Sequence, residues 1–409
     1  MKSKVQPFIW KALLMLIFLR PFLSEYAFLT IGLWYISSLI LFSIIYLALS
    51  NNIFLFSPPM NLSVFLFIIA IFVSIIFSGF TSWSLLELYF FIPNLLIFYI
   101  VSKIKPEQKK ELISVIFLAA VIISAYALYQ YFIGFGHLSE YIKRTCSNIS
   151  MPDFLEDKRV FATFISPNIF AGYLVMMLFL GVGFLISFYP RRIIYWISIS
   201  IMAISLLLTK SLGGILSFMI TFLLFIFYLI FYLLPNFGFK KNTLRIASLS
   251  ITLGLFIFIF LSSFFIWHRL PNLFNPSNPN NSIVQRLYYW KASLNMIKDS
   301  PLTGVGWRKF GALYEFYKPP LANISHYSHN VFLQILAETG LLGLLSFLWI
   351  IFIFFKKGIS VIKINDKEQG LKIGLFCAGC AFLFHSLIDL SFYFDQASFF
   401  WWIILGFFA

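Results

Sequence analysis

Charge is what this chain has least of. Only 11% of its 409 residues are charged, and Asp and Glu together number 15. A soluble fold needs a charged, hydrated surface around its core, and this sequence has too little charge to make one. With 61% hydrophobic residues, 54 of them Phe, and a mean hydropathy of +0.92, the composition excludes a soluble globular domain. It indicates a polytopic integral membrane protein. Cysteine is also scarce. Cys146, Cys377 and Cys380 are too few for a disulfide framework, and Cys377 and Cys380 lie in an apolar run without a second ligand pair. They read as small packing residues rather than zinc or redox groups. Lys and Arg number 30, but they occur in short clusters between hydrophobic runs. That is the pattern of cytoplasmic loops, and it excludes a nucleic-acid surface. A small-residue cleavage site is missing after the apolar run at 8–19, so the run reads as a retained helix and not a removed signal. No period marks an inverted repeat of transporter type.

What the chain does have is long apolar stretches, which give an all-α fold of about twelve membrane spans. The expected spans are 8–23 (with Arg20 snorkelling), 28–49, 62–77, one ending near Val101, 112–133, 164–188, 193–208, 215–234, 246–267, 329–355, 371–390 and 394–408. Basic loops at Lys103–Lys110, Arg191–Arg192, Lys240–Arg245 and Lys356–Lys367 alternate with these spans and place both termini in the cytoplasm. The expected organisation is spans one to nine over 1–267, an external loop over 268–328, and three further spans over 329–409.

The external loop carries the polar chemistry. After the breaker Asn275-Pro276-Ser-Asn-Pro279-Asn-Asn281, Ser282 is expected to cap a helix over 283–298. Ile283, Leu287, Trp290, Leu294 and Ile297 give it an apolar face, with Arg286, Lys291 and Lys298 elsewhere, so it should lie along the outer membrane boundary. Gly304 and Gly306 read as a tight turn in preference to a phosphate cradle. The loop then enters a helix through His326-Tyr-Ser-His329-Asn330, with Gln334 and Glu338 behind at near-helical spacing. So many polar groups at the mouth of an apolar helix are costly unless they face a wet cavity.

Four stretches carry a family resemblance. They are Arg159-Val-Phe-Ala-Thr163 with Ser166-Pro167-Asn168, Thr209-Lys210-Ser211-Leu212-Gly213-Gly214, Arg286 to Trp307, and Ser328-His329-Asn330 through Gly343. In this order they resemble the bacterial O-antigen ligase and polymerase superfamily, over about residues 159–343. The resemblance implies a glycosyltransferase in the bacterial plasma membrane with its site on the periplasmic face. It would take an undecaprenyl-diphosphate-linked glycan as donor and a lipid A core sugar or a growing glycan as acceptor, without cofactor or metal. Repeat-unit polymerisation and transfer to a protein hydroxyl are the alternatives within the family. An anionic-solute transporter is the alternative outside it.

The resemblance also assigns candidate residues. Arg286 matches the family arginine of the loop helix and would bind the donor diphosphate, a task its bidentate fork suits; sequence physics alone favours an interfacial snorkelling arginine, and the motif reverses that. His329 matches the family histidine, as general base on the acceptor or its orienter; a helix-capping or packing role is the plain alternative. The family often has an arginine where this chain has Leu212, so Lys210 or Arg159 would supply a second donor cation. His326, Asn330, Gln334 and Glu338 would support the acceptor side. His326 and His329 lack a third ligand nearby, so no metal site is expected. His385 and Asp389, four apart in the eleventh span, would pair with each other or orient groups in the cavity. Glu87 has no partner identifiable from sequence.

Overall fold

The computed structural model describes residues 2–23, 29–50, 60–79, 82–145, 155, 157–188, 193–228, 263, 281–362 and 368–409. Among these residues the secondary structure is helical, without strands. Seven helical stretches are long and apolar enough to cross a bilayer: Val5–Phe22, Leu29–Leu49, Met60–Ser78, Ser82–Lys103, Pro106–Leu138, Pro167–Phe188 and Val331–Val361. Ile193–Leu208 and Leu212–Phe227 are shorter apolar helices. The expected span at 246–267 apart from Ser263, the basic clusters at Arg191–Arg192 and Lys240–Arg245, and Cys146 lie outside the described residues. So do Lys363, Lys367 and the loop from His268 to Asn280.

The chain forms two compact units. The first draws on Met1–Ile116, Pro271–Asn365 and Ser386–Ala409, and the second on Phe117–Leu270 and Asp366–His385.

In the first unit, α1 (Lys2–Leu19), α2 (Leu29–Leu49), α3 (Met60–Ser78) and α4 (Ser82–Lys103) pack with the later helices α12 (Val331–Ile362) and α14 (Asp395–Phe407). α3 lies along α12 and α14 along α4. Their shared core is aromatic. Phe67, Phe91, Trp307, Phe347, Phe392 and Trp402 meet edge-on or tilted, as ring quadrupoles favour. At 13 residues α14 is only about 20 Å long, short of the ~30 Å apolar thickness of a bilayer. It is buried along its length. Polar pegs register this bundle. Asn94 Nδ2 donates to Asp395 Oδ1 at 2.6 Å, and Gln396 Nε2 to the Pro21 carbonyl at 2.7 Å.

Arg20 does not snorkel as expected. It is 1% exposed, its guanidinium stands over the rings of Tyr35 and Phe399, and Nη1 donates to the Leu23 carbonyl at 3.4 Å. Aromatic faces and a free carbonyl let the protein itself solvate this charge.

In the second unit, α7 (Pro167–Phe188) is buried on nearly every face, packed by α8 (Ile193–Leu208) and α9 (Leu212–Tyr228). α5 (Pro106–Tyr129) enters this unit at Phe117 and continues through a π turn at Gln130–Gly134 into α6 (Phe135–Thr145). Cys377 and Cys380, in α13 (Gln369–Ser386), are buried free thiols, in keeping with a packing role.

The Asn94–Asp395 contact tests the bundle's register. Asn94→Leu removes a buried donor and is expected to cost on the order of 1 kcal/mol, lowering the melting temperature in detergent by a few degrees. Ser37→Ala, at the exposed Ser37–Tyr89 contact, should leave it unchanged.

Candidate functional site

The site in the first unit is built on three short pieces of chain: a loop helix, a clamp segment and a turn. The loop helix is α10 (Ser282–Asp299). Its cap is Asn281 rather than the expected Ser282, because the Asn281 side chain accepts from the amides of Ile283 and Val284 at 2.9 and 3.3 Å. The inward face is Tyr289, Ala292 and Met296, packed with Phe310, Tyr314, Ala322 and Ala337. Ile283, Leu287 and Leu294 of the expected apolar stripe are turned outward, 48%, 54% and 50% exposed. An outward apolar stripe fits a helix lying on a membrane boundary.

The clamp follows. α12 looks continuous in sequence but is broken at Gly340, whose φ of 65° and ψ of −166° no other residue adopts without strain. The break frees carbonyls and amides that lipid cannot satisfy. Segment 301–306 satisfies them. Val305 and Gly306 donate to the Ala337 and Glu338 carbonyls at 2.9 and 3.0 Å, and Leu341 donates back to the Pro301 carbonyl at 2.9 Å. A side chain at Gly304 would put its Cβ 2.3 Å from the Glu338 carbonyl, and one at Gly340 2.2 Å from the Leu302 oxygen. The Gly304–Gly306 stretch is therefore a tight turn whose amides are already committed, not a phosphate cradle.

Ahead of the break, the expected polar stack is joined by hydrogen bonds. Asn330 caps α12, its Oδ1 accepting from Leu333 N at 3.0 Å. Gln334 Oε1 accepts from Ser328 N at 2.6 Å, and its Nε2 donates to Glu338 Oε1 at 2.9 Å. Glu338 Oε1 also accepts from Phe310 N at 3.3 Å, which ties α11 (Phe310–Tyr317) to the stack.

His329 precedes the cap. Its φ of 54° is strained for a residue with a side chain, a feature that gathers at functional sites. The ring stacks on Tyr289 with centroids 5.5 Å apart, and Nδ1 lies 3.8 Å from Asp389 Oδ1. The other carboxylate oxygen, Oδ2, lies 3.9 Å from Arg286 Nη2. Arg286 and His329 thus face one carboxylate from two sides. α13 ends at Ser386 and Asp389 sits in the turn beyond it, so His385 and Asp389 do not share one continuous helical face. Burial raises the Tyr289 phenol pKa, partly offset by the Arg286 charge beside it. His326 is exposed, its ring edge-on to Tyr327. Among the described residues no group of three or more His, Cys, Asp or Glu is placed to hold a metal.

Arg308 escaped the sequence reading, although it directly follows the Gly304-Val-Gly306-Trp307 motif. It is buried with φ 61°, its Nε 3.3 Å from Glu87 Oε2 and its Nη1 donating to the Tyr393 carbonyl at 2.7 Å. Its guanidinium also stands over the Trp307 and Tyr393 rings. This supplies the partner of Glu87 that sequence did not reveal. Nearby, burial pushes the Tyr327 phenol up to about 12, against the opposing pull of Arg308.

The remaining donor candidates belong to the second unit. Arg159 donates from Nε to the Thr209 carbonyl at 2.9 Å and from Nη2 to Asn168 Oδ1 at 2.7 Å. It thus joins the Ser166-Pro167-Asn168 and Thr209–Gly214 stretches. Lys210, at φ 49°, donates to the Asp157 carbonyl at 2.6 Å. Leu212, where the family often has arginine, packs against Leu207 and Ile215.

These helices, with polar groups gathered around a loop helix and a broken span, define an all-α integral membrane protein. Residues 197–348 match the family described as O-antigen ligase, and the match supports the O-antigen ligase superfamily that the motifs resemble. With it comes the coarse role of a membrane glycosyltransferase-like ligase or polymerase. The matched stretch includes Lys210, Arg286 and His329 and leaves out Arg159, His385 and Asp389. Comparison with curated proteins gave no match.

The clamp is open to a direct test. Gly340→Ala combines a left-handed φ, worth about 1–2 kcal/mol, with a backbone collision, and should abolish recovery of folded protein. Gly136→Ala, in α6 with nothing within 4 Å of the added Cβ, should leave the yield and melting temperature unchanged or slightly raised.

Proposed function

We propose that this chain transfers a glycan from undecaprenyl diphosphate to a sugar hydroxyl at the outer face of the bacterial plasma membrane, with a lipid A core sugar as acceptor. The observation that carries the reading is the convergence of Arg286 and His329, both within the stretch of chain that resembles the family, on Asp389 beyond it. His329 takes the acceptor's hydroxyl proton on Nε2, its Nδ1 being turned toward Asp389. The acceptor oxygen then bonds to the anomeric carbon as the bond from that carbon to the diphosphate oxygen breaks. The electron pair leaves on undecaprenyl diphosphate, whose charge Arg286 meets with charge-assisted hydrogen bonds.

Reconstitution with a purified undecaprenyl-diphosphate glycan and a panel of acceptors tests this. Product on a lipid A core acceptor, without added nucleotide or metal, supports ligation. Chain lengthening of the donor glycan alone would make the protein a polymerase, and product on a protein hydroxyl would make it a protein glycosyltransferase. Solute uptake into proteoliposomes with no transfer would sink the enzyme reading altogether. In the same assay His329→Ala should lower turnover by about 10²–10⁴ while donor binding persists. Arg286→Ala should instead weaken donor binding by roughly ten- to a hundredfold, the worth of a charge-assisted pair. Near-normal turnover in His329→Ala would remove the base. Alanine variants of Lys210 and Arg159, read for donor affinity, decide whether either acts as a further donor cation.

A further inference from the structure

Asp389 is placed with more care than a surface turn needs. Its carboxylate is almost fully buried, and Oδ1 accepts from the amide of Leu390 at 2.8 Å. The turn is fixed to the helix that follows His329, because Asn330 Nδ2 donates to the Leu387 carbonyl at 2.9 Å. Beyond it, Arg308 holds the Tyr393 carbonyl. Arg286 and His329 both face the carboxylate and stop short of hydrogen-bond distance from it. Contacts of 3.8 Å to His329 Nδ1 and 3.9 Å to Arg286 Nη2 are longer than hydrogen bonds, which close at about 2.7–3.2 Å. His329 Nδ1 and Arg286 Nε are both buried without a hydrogen-bond partner. His329 cannot easily turn away, held by its backbone and by the Tyr289 ring. Arg286 is the looser of the two, with one long hydrogen bond of 3.4 Å from Nη1 to the Ser282 carbonyl.

We propose that Asp389 is a positioning residue shared between the two halves of the reaction, and that donor binding switches it from Arg286 to His329. This rests on the transferase reading above. In the donor-free protein Arg286 neutralises much of the carboxylate's field, so Asp389 does little for the imidazole. A diphosphate engages the guanidinium fork and takes over its charge compensation. The carboxylate then acts more fully on His329 and holds Nδ1–H, which leaves Nε2 turned to the acceptor as the proton-accepting atom. The base is thereby armed only when a donor is present, and the acceptor hydroxyl is not deprotonated ahead of it. Until the donor arrives, Asp389 competes with the diphosphate for Arg286.

That competition makes the proposal separable from an ordinary structural role. In Asp389→Asn the competing charge is gone, so farnesyl diphosphate, used as a short donor probe in detergent, should bind about three- to tenfold tighter than to the wild type. Turnover with the glycan donor should fall at least tenfold, so that KM for donor and kcat drop together. A residue that only held the fold would weaken binding and turnover alike. Unchanged or weaker probe binding in Asp389→Asn, or unchanged turnover, overturns the proposal. If that variant does not survive extraction, Asp389→Glu keeps the charge but displaces the oxygens. It should bind the probe within about threefold of wild type and still lose at least tenfold in turnover; full turnover overturns the idea. The wild-type arm judges the parent reading separately, since absence of both probe binding and glycan transfer there defeats the transferase assignment itself.

Discussion

Everything at this site depends on a helix that is broken and then mended by another piece of backbone. A bilayer offers no water to a freed carbonyl or amide, so a span can depart from helical geometry only where protein satisfies the groups it exposes. Gly340 makes the departure and segment 301–306 satisfies it. One consequence reaches well beyond the break. Because the clamp lies directly between α10 and α11, mending the helix also fixes where α10 ends and where Arg308 begins to turn. The loop is therefore not an appendage on the membrane domain. Its position is set by hydrogen bonds to the span that it precedes in sequence.

Charge is distributed in keeping with that frame. Arg20 and Arg308 are buried, each held by a carbonyl and by aromatic faces, and Arg308 also by Glu87. A buried ion pair of this kind adds little net stability, since desolvation offsets the attraction, but removing one partner leaves the other stranded. Such pairs fix geometry more than they add energy. Arg286, His329 and Asp389 differ in that their mutual contacts are long. A guanidinium held at 3.9 Å from its carboxylate can be drawn off by a competing anion at far lower cost than one locked at hydrogen-bond distance.

Much of this was legible in the sequence, because apolar length and polar clustering are strong signals. The helical membrane class, the loop helix with Arg286 on it, and the polar mouth of α12 follow from periodicity and composition alone. The details that failed did so for identifiable reasons. Asn281 rather than Ser282 caps α10 because both residue types cap well and only backbone geometry separates them. The stack of Asn330, Gln334 and Glu338 is visible as spacing, but spacing does not show the hydrogen bonds that join Gln334 to Ser328 and to Glu338. Arg20 was expected at the interface because the rings that surround it, Tyr35 and Phe399, lie far apart in sequence.

Asp389 shows the same limit most clearly. Four residues after His385 it belongs to a helical face only if the helix continues, and α13 stops at Ser386. Nothing in Leu387, Ile388 or Leu390 marks that stop, since all three are residues a membrane helix accepts. The turn is instead imposed from outside, by Asn330 donating to the Leu387 carbonyl. The cap of one helix thus fixes the end of another, and the carboxylate is delivered to His329 by the residue next to His329. That reciprocity couples the two ends of the polar stretch: a change at Asn330 would loosen both the start of α12 and the carboxylate that faces its histidine.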